Sequence, residues 1–317
     1  MKVQNAFDKL SEQKSFSAEL GFAGSADDIY AAMKNEDDFE RADATMLAGL
    51  KVKFSAASDT QLKDTKNLGK GSVSFALSNG SADLIEVRSV GQMVYLRADL
   101  KAVSALDTSS KGSDSKELDT MLKQADQLPA SMSAVKNALK GKWIGLDPKT
   151  FAAFIKQSGL DKEAGLPDTG SALDPAQQKK AIEAVKKALG ENAKFKDAPG
   201  KDGVDHVTVT VAGRKAAQDL VDALKPFPQF KDAFKDFKPS DVPDKDIAID
   251  LAVKDGMLSG ISLDVAQFDT KSTGKLPLSI TIDGKADPVT APSGSVELKP
   301  QDLMSAMMFL VAGQEKA

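Results

Sequence analysis

The chain has 317 residues, 41% hydrophobic and 28% charged, with a net charge of −4 and no run of the roughly 18 apolar residues a membrane span requires. Zero cysteines exclude disulfides, thiolate catalysis and cysteine-bound zinc or iron–sulfur centres, and a lone histidine, His206, excludes multi-histidine metal sites. The slight acidity speaks against a nucleic-acid partner.

Asn5–Lys14 places Ala6, Phe7 and Leu10 at helical spacing. Ser15–Phe22 then alternates Phe16, Ala18, Leu20 and Phe22 with small or polar residues, the period of a half-buried strand. Ser25 to about Ala48 is acidic and helical, anchored by Ile29, Tyr30, Met33, Met46 and Leu47. A meander follows. Leu50, Val52 and Phe54 alternate with lysines and serine, Val73, Phe75 and Leu77 with Ser72, Ser74 and Ala76, and after the Asn79-Gly80 turn come Leu84–Val90 and Met93–Ala98, which includes Val94 and Leu96. The Asn79-Gly80-Ser81 triplet matches a glycosylation acceptor, but Asn-Gly between alternating strands reads as a hairpin turn.

The middle is helical: Ser113–Gln127, Pro129–Leu139, a helix opened by Asp147-Pro148 with Phe151, Phe154 and Ile155 as its apolar stripe, and Ala176–Leu189 opened by Asp174-Pro175. Lys142–Leu146, with the sole tryptophan Trp143, interrupts it as a short strand. Val204–Val211 is a strand, Arg214–Leu224 a helix, and Ile247–Val253 with Met257–Val265 a hairpin about Asp255-Gly256. Leu276–Ile282 and Ser295–Leu298 are closing strands, and Pro300–Ala312 is a Met-rich helix, apolar nearly all round and expected to be buried. Clustered, hairpin-linked strands predict an α+β protein on a large antiparallel sheet, either one domain over residues 1–317 or two halves split near 148–200.

Catalytic patterns lack their companions. Ser133-Ala134-Val135-Lys136 and Ser113-Asp114-Ser115-Lys116 match a serine–lysine nucleophile pair, yet there is no Ser-Asp-Asn, and Lys271-Ser272-Thr273-Gly274 does not supply Lys-Thr-Gly. Gly69-Lys70-Gly71 leads into a strand, so no helix N-terminus awaits a phosphate. His206 shares a strand face with Thr208 and Thr210, opposite the valines, which places it on the sheet exterior. The acidic run Asp27, Asp28, Glu36, Asp37, Asp38, Glu40 and Asp43 lacks a calcium-loop pattern and reads as a solvated helical face. No catalytic, cofactor or metal site is assigned. Phe227, Phe230, Phe234 and Phe237 recur at three- and four-residue spacing, as a short helix packed on the sheet or as a lid or membrane-facing stripe.

Four segments carry a family likeness. They are the leading helix into Ser15-Phe16-Ser17-Ala18-Glu19-Leu20, the hairpin Ile85-Glu86-Val87-Arg88 through Val94-Tyr95-Leu96-Arg97, Gly141-Lys142-Trp143-Ile144-Gly145-Leu146, and Asp255-Gly256-Met257 between paired strands. In these the chain resembles the actinobacterial cell-envelope lipoproteins of the LppX/LprG type, related in fold to the LolA carriers. The resemblance implies a curved antiparallel half-barrel with helices packed on its concave apolar face; it covers most strand segments but not the helical insertions near 23–48, 105–140 and 160–200, which make this chain longer than the family's usual core. It further implies an extracytoplasmic location, lipid acyl chains held in a cavity, and attachment to the membrane surface through a lipidated cysteine. The start Met1-Lys2-Val3-Gln4-Asn5 has no apolar signal core and taken alone reads as cytoplasmic; under the resemblance the chain is expected to begin just past that cysteine, with a signal peptide removed.

The expected function is therefore a non-enzymatic lipoprotein that binds or transports a lipid or other apolar ligand. The cavity candidates are Phe16, Phe22, Val52, Phe54, Phe75, Leu77, Val94 and Leu96, with Phe230, Phe234, Met304 and Met308 as a lid. The alternatives are an envelope interaction protein with a filled core that acts through its 27–43 surface, and a hydrolase built on Ser133 and Lys136.

Overall fold

The computed structural model describes residues 2–64, 71–106, 113–158, 193–198, 203–227, 237–268 and 274–314, together with single positions between 180 and 190 and at 200, 230, 234 and 235. The Gly69-Lys70 and Asp174-Pro175 segments, and most of the expected Ala176–Leu189 helix, lie outside these residues.

Alternating sequence becomes strand wherever it was expected, because one apolar face per strand can be buried only on a pleated sheet. The first meander comprises β2 (Leu50–Ala57), β3 (Ser72–Asn79), β4 (Ala82–Val90), β5 (Met93–Ala98) and β6 (Ile144–Leu146). The second comprises β7 (Lys194–Ala198), β8 (Val204–Ala212), β9 (Asp246–Lys254), β10 (Met257–Asp264) and β11 (Pro277–Asp283). β1 (Ser15–Phe22) pairs with β2 on one side and β11 on the other, and so joins the two meanders. With β12 (Val296–Glu297) the order is β12-β6-β5-β4-β3-β2-β1-β11-β10-β9-β8-β7, antiparallel throughout except for β12 against β6. The sheet is curved and does not close, which makes it a half-barrel of the α+β class.

Residues 284–295 must travel from β11 to β12, across seven inter-strand spacings. At about 4.8 Å each that is about 34 Å, close to the roughly 40 Å that this segment reaches when extended. It accordingly runs as a strap over the strand ends, where Ser15 Oγ accepts from the Ala286 amide at 3.1 Å and Arg88 donates to the Thr290 carbonyl at 3.3 Å.

The helices are α1 (Lys2–Ser11), α2 (Ala26–Met33), α3 (Arg41–Gly49), α4 (Leu100–Ser104), α5 (Ser113–Asp126), α6 (Ser133–Leu139), α7 (Pro148–Ser158), α8 (Gly213–Leu224) and α9 (Pro300–Gln314). They bury the apolar face at both ends of the sheet. At the β6–β12 end, Ala125 and Leu128, Ala134 and Val135 of α6, and Ala306 of α9 pack with Ile144 and Leu298. At the other end Ala6 of α1 sits on Val207, Leu251, Val253 and Leu258, and Ala216 of α8 on Val211 and Ile247. Ile29, Ala32 and Ala44 of α2 and α3 close over Leu276, with Phe22 packed against them. Leu258 and Val207 are only 1% exposed, so each contributes on the order of 1.5–3 kcal/mol by burial.

The acidic run is solvated as expected, with all but Asp43 exposed, and two of its members also cap helices: Asp28 and Ser25 form a reciprocal capping box on α2, and the Asp43 carboxylate accepts from the Glu40 amide at 2.7 Å before α3, while Asp27 pairs with Arg41 at 2.5 Å. Two expectations change. The terminal helix α9 is not buried. It lies beyond the sheet edge against α6 and α7 and buries Ala306, while Leu303, Met304, Met308 and Phe309 are 39–70% exposed. β7, with the sequence Lys-Phe-Lys-Asp-Ala, was not expected as a strand; it has a single strongly apolar residue, and its ladder to β8 is what defines it.

Candidate functional site

Register assembles the strands' apolar residues into one surface. Ala18, Phe54, Phe75, Val87, Leu96, Ile144 and Val296 stand opposite one another in turn from β1 to β12, and Leu20, Val52, Leu77 and Ile85 form the parallel row beside them. Beyond β1 the same face continues through Ile280, Ile261, Leu251 and Val207. Apolar side chains thus cover one face from β12 to β8, and on the edge strand β7 Asp197 stands opposite Val207.

That face is buried only at its ends. Across β1 to β5 its residues are half-buried or exposed, apart from Ala56 and, at the start of β4, Leu84. Phe54 and Phe75 are 37% and 40% exposed, and the Phe16 and Phe54 rings lie 5.6 Å apart. The result is a trough floored by β1–β5. Its sides are the helical clusters on β6–β12 and on β8–β10, α2 and α3 stand at the Phe22 end, and the 284–295 strap crosses the opposite strand ends. This is the half-barrel that the LppX/LprG resemblance implies.

Among solved structures the chain is similar to LprF from Mycobacterium bovis. The identity is 12%, over 92% of this chain and 96% of that one, with a TM-score of 0.35. No protein-family model matches the chain, and neither does any curated protein sequence. The reading of the trough rests on this chain's own residues.

Of the twelve cavity candidates, Phe16, Val52, Phe54, Phe75 and Leu77 form the open floor, with Val94 on the same face beside them. Phe22 turns into the cluster under α2 and α3, and Leu96 packs against the cluster under α6. Phe230 and Phe234, past the end of α8, are half-buried, with their rings against Phe227 and Phe237, respectively. Met304 and Met308, 45% and 70% exposed, occupy the side of α9 away from Ala306.

The polar residues are engaged elsewhere. The Lys136 amine donates to the Asp126 carbonyl at 2.8 Å, where a serine–lysine pair would need it at Ser133. His206 Nδ1 lies 2.7 Å from Asp250 Oδ2 on the sheet face opposite the trough, as the strand pattern anticipated. On that same outer face Arg88 and Arg97 share the carboxylate of Glu86 and both stack on Trp143, with centroid distances of 4.8 and 5.3 Å. No cluster of three or more metal-ligating side chains occurs among the described residues. The trough presents a surface of apolar side chains, which strand alternation in the sequence places on one face.

Proposed function

We propose that the protein is a non-enzymatic carrier that lays a lipid or other apolar ligand along the open floor of its half-barrel. The observation that carries this reading is the exposure of a continuous apolar surface over β1–β5 between two fully packed ends. Soluble proteins seldom leave such a patch bare unless something binds there. Each acyl CH₂ group withdrawn from water onto it is worth about 0.8 kcal/mol, so a chain of ordinary length is held firmly without directional chemistry. Under this reading the chain is a single sheet-based domain that works outside the cytoplasmic membrane, tethered to its surface by a lipid anchor. Among the described residues no helix is long and apolar enough to cross a bilayer.

Native mass spectrometry of the protein purified from its own host tests the reading. A co-purifying lipid, lost when Phe54 and Phe75 are replaced by serine, is the expected result. A ligand-free protein that also fails to take up acyl chains added in vitro would overturn it.

A further inference from the structure

Where β4 begins and β5 ends, α4, α5 and α6 stand around a cleft of about 470 Å³. Its size falls within the roughly 300–1,000 Å³ of small-ligand sites. Its floor is apolar, made by Leu84, Ile85, Leu100, Leu122 and Leu139. Ile85, the cross-strand neighbour of Leu77, lines the cleft from the trough face while Glu86 and Arg97 line it from the outer face, so the cleft sits at the strand ends and meets the trough at Ile85. From β4 to β1 the trough spans three strand spacings, roughly 14 Å.

The rim differs from the floor. Lys101 of α4 meets Asp119 of α5 at 2.7 Å, Lys140 meets Asp126 at the end of the same helix, and Arg97 joins Asp83 and Glu86 at 2.6 and 3.0 Å. Lys123 acts on Asp119 through charge alone, with no hydrogen bond or ion pair among the described residues. In all, five carboxylates and four cations line the cleft, so its field favours neither a lone anion nor a lone cation.

Both signs alternate at short range above an apolar floor. We propose that this cleft receives a zwitterionic headgroup whose hydrocarbon tail lies in the trough, an inference that rests on the carrier reading above. The anionic group of the ligand faces Lys101, Lys123 and Lys140, and its cationic group faces Asp119 and Asp126. The Lys101–Asp119 and Lys140–Asp126 pairs are solvent-exposed and therefore weakly held, so a ligand bearing both charges exchanges each contact for a charge-assisted one of its own. A singly charged headgroup satisfies one set of partners and leaves the other, and a neutral headgroup replaces none.

The test is calorimetric titration of the full chain with twelve-carbon amphiphiles below their micellar concentrations, carrying phosphocholine, sulfate, trimethylammonium or maltoside heads, and with chainless phosphocholine. The phosphocholine amphiphile is expected to bind about tenfold tighter than the other three, and chainless phosphocholine far more weakly. Lys123→Gln, at an exposed position, is expected to remove most of that preference while leaving the maltoside amphiphile's affinity unchanged; Lys101→Gln provides a second, independent variant. Equal affinity for all four heads, or a preference for any other head, overturns the headgroup inference and leaves the carrier reading standing. Tight binding of chainless phosphocholine overturns the link between cleft and trough. Binding of none of the amphiphiles overturns both the inference and the carrier reading.

Discussion

Phe54 and Phe75 stand directly opposite each other on β2 and β3, and each keeps more than a third of its surface exposed, 37% and 40%. Two phenylalanines paired across neighbouring strands would ordinarily be core. Their exposure separates stability from function at this position. A fully buried Phe→Ala change costs about 3–5 kcal/mol; Phe54→Ser is expected to cost well under that, and to weaken binding of an acyl probe by tenfold or more. Leu258→Ala, at 1% exposure, should do the opposite: a loss of about 2–5 kcal/mol with probe affinity unchanged in the folded fraction. Urea denaturation beside probe titration separates the two.

At α2 the Ser25 hydroxyl accepts from the Asp28 amide at 3.2 Å and donates to the Asp28 carboxylate at 2.6 Å. Those contacts, with the Ser25 backbone amide, hold the Asp28 carboxyl below its ordinary range. Ser25→Ala should cost about 1 kcal/mol and return the Asp28 titration toward its usual value, which carboxyl-carbon NMR reads directly.

Asp119 and Asp126 are likewise held below the ordinary 3.8, chiefly by hydrogen bonds from Lys101 and Lys140, respectively. A lowered folded-state value stabilises above the unfolded value and is lost as pH falls through the folded one. The small contribution of these two exposed pairs to α5 should therefore stay constant from neutral pH to about 4 and fade as pH falls through the lowered values. Hydrogen exchange of the α5 amides measures this, and Asp119→Asn with Asp126→Asn should weaken protection at neutral pH and flatten the dependence.

The β9–β10 turn holds Asp255 at φ +52° and Gly256 at φ +74°, the twisted two-residue hairpin geometry in which a side chain at the second position is strained. Gly256→Val is expected to destabilise by about 1–2 kcal/mol and Asp255→Asn by little, as thermal melts would show.

The sheet was legible because its strands alternate cleanly: β1 and β5 fall at the predicted residues, and β2 to β4 differ only at their ends. Registers written by hairpin turns then placed Phe16, Val52, Phe54, Phe75 and Leu77 on one face. β7 was not legible, since Lys194 and Lys196 flank its one large apolar residue and only the partner strand reveals it. The exposure of α9 depends on where the sheet ends, which no local pattern records. The charged cleft brings together residues from 83 to 141, and the Arg88–Trp143–Arg97 stack likewise joins distant positions. Neither has a signature in any single segment.

The most direct test of the carrier account is NMR with a fatty acid spin-labelled along its chain. Bleaching of the backbone signals of Phe54, Phe75 and Leu77, abolished by Phe54→Asp with Phe75→Asp, is the predicted result. Unchanged signals over β1–β5, with bleaching confined to the exposed Met304 and Met308 side of α9, would contradict it.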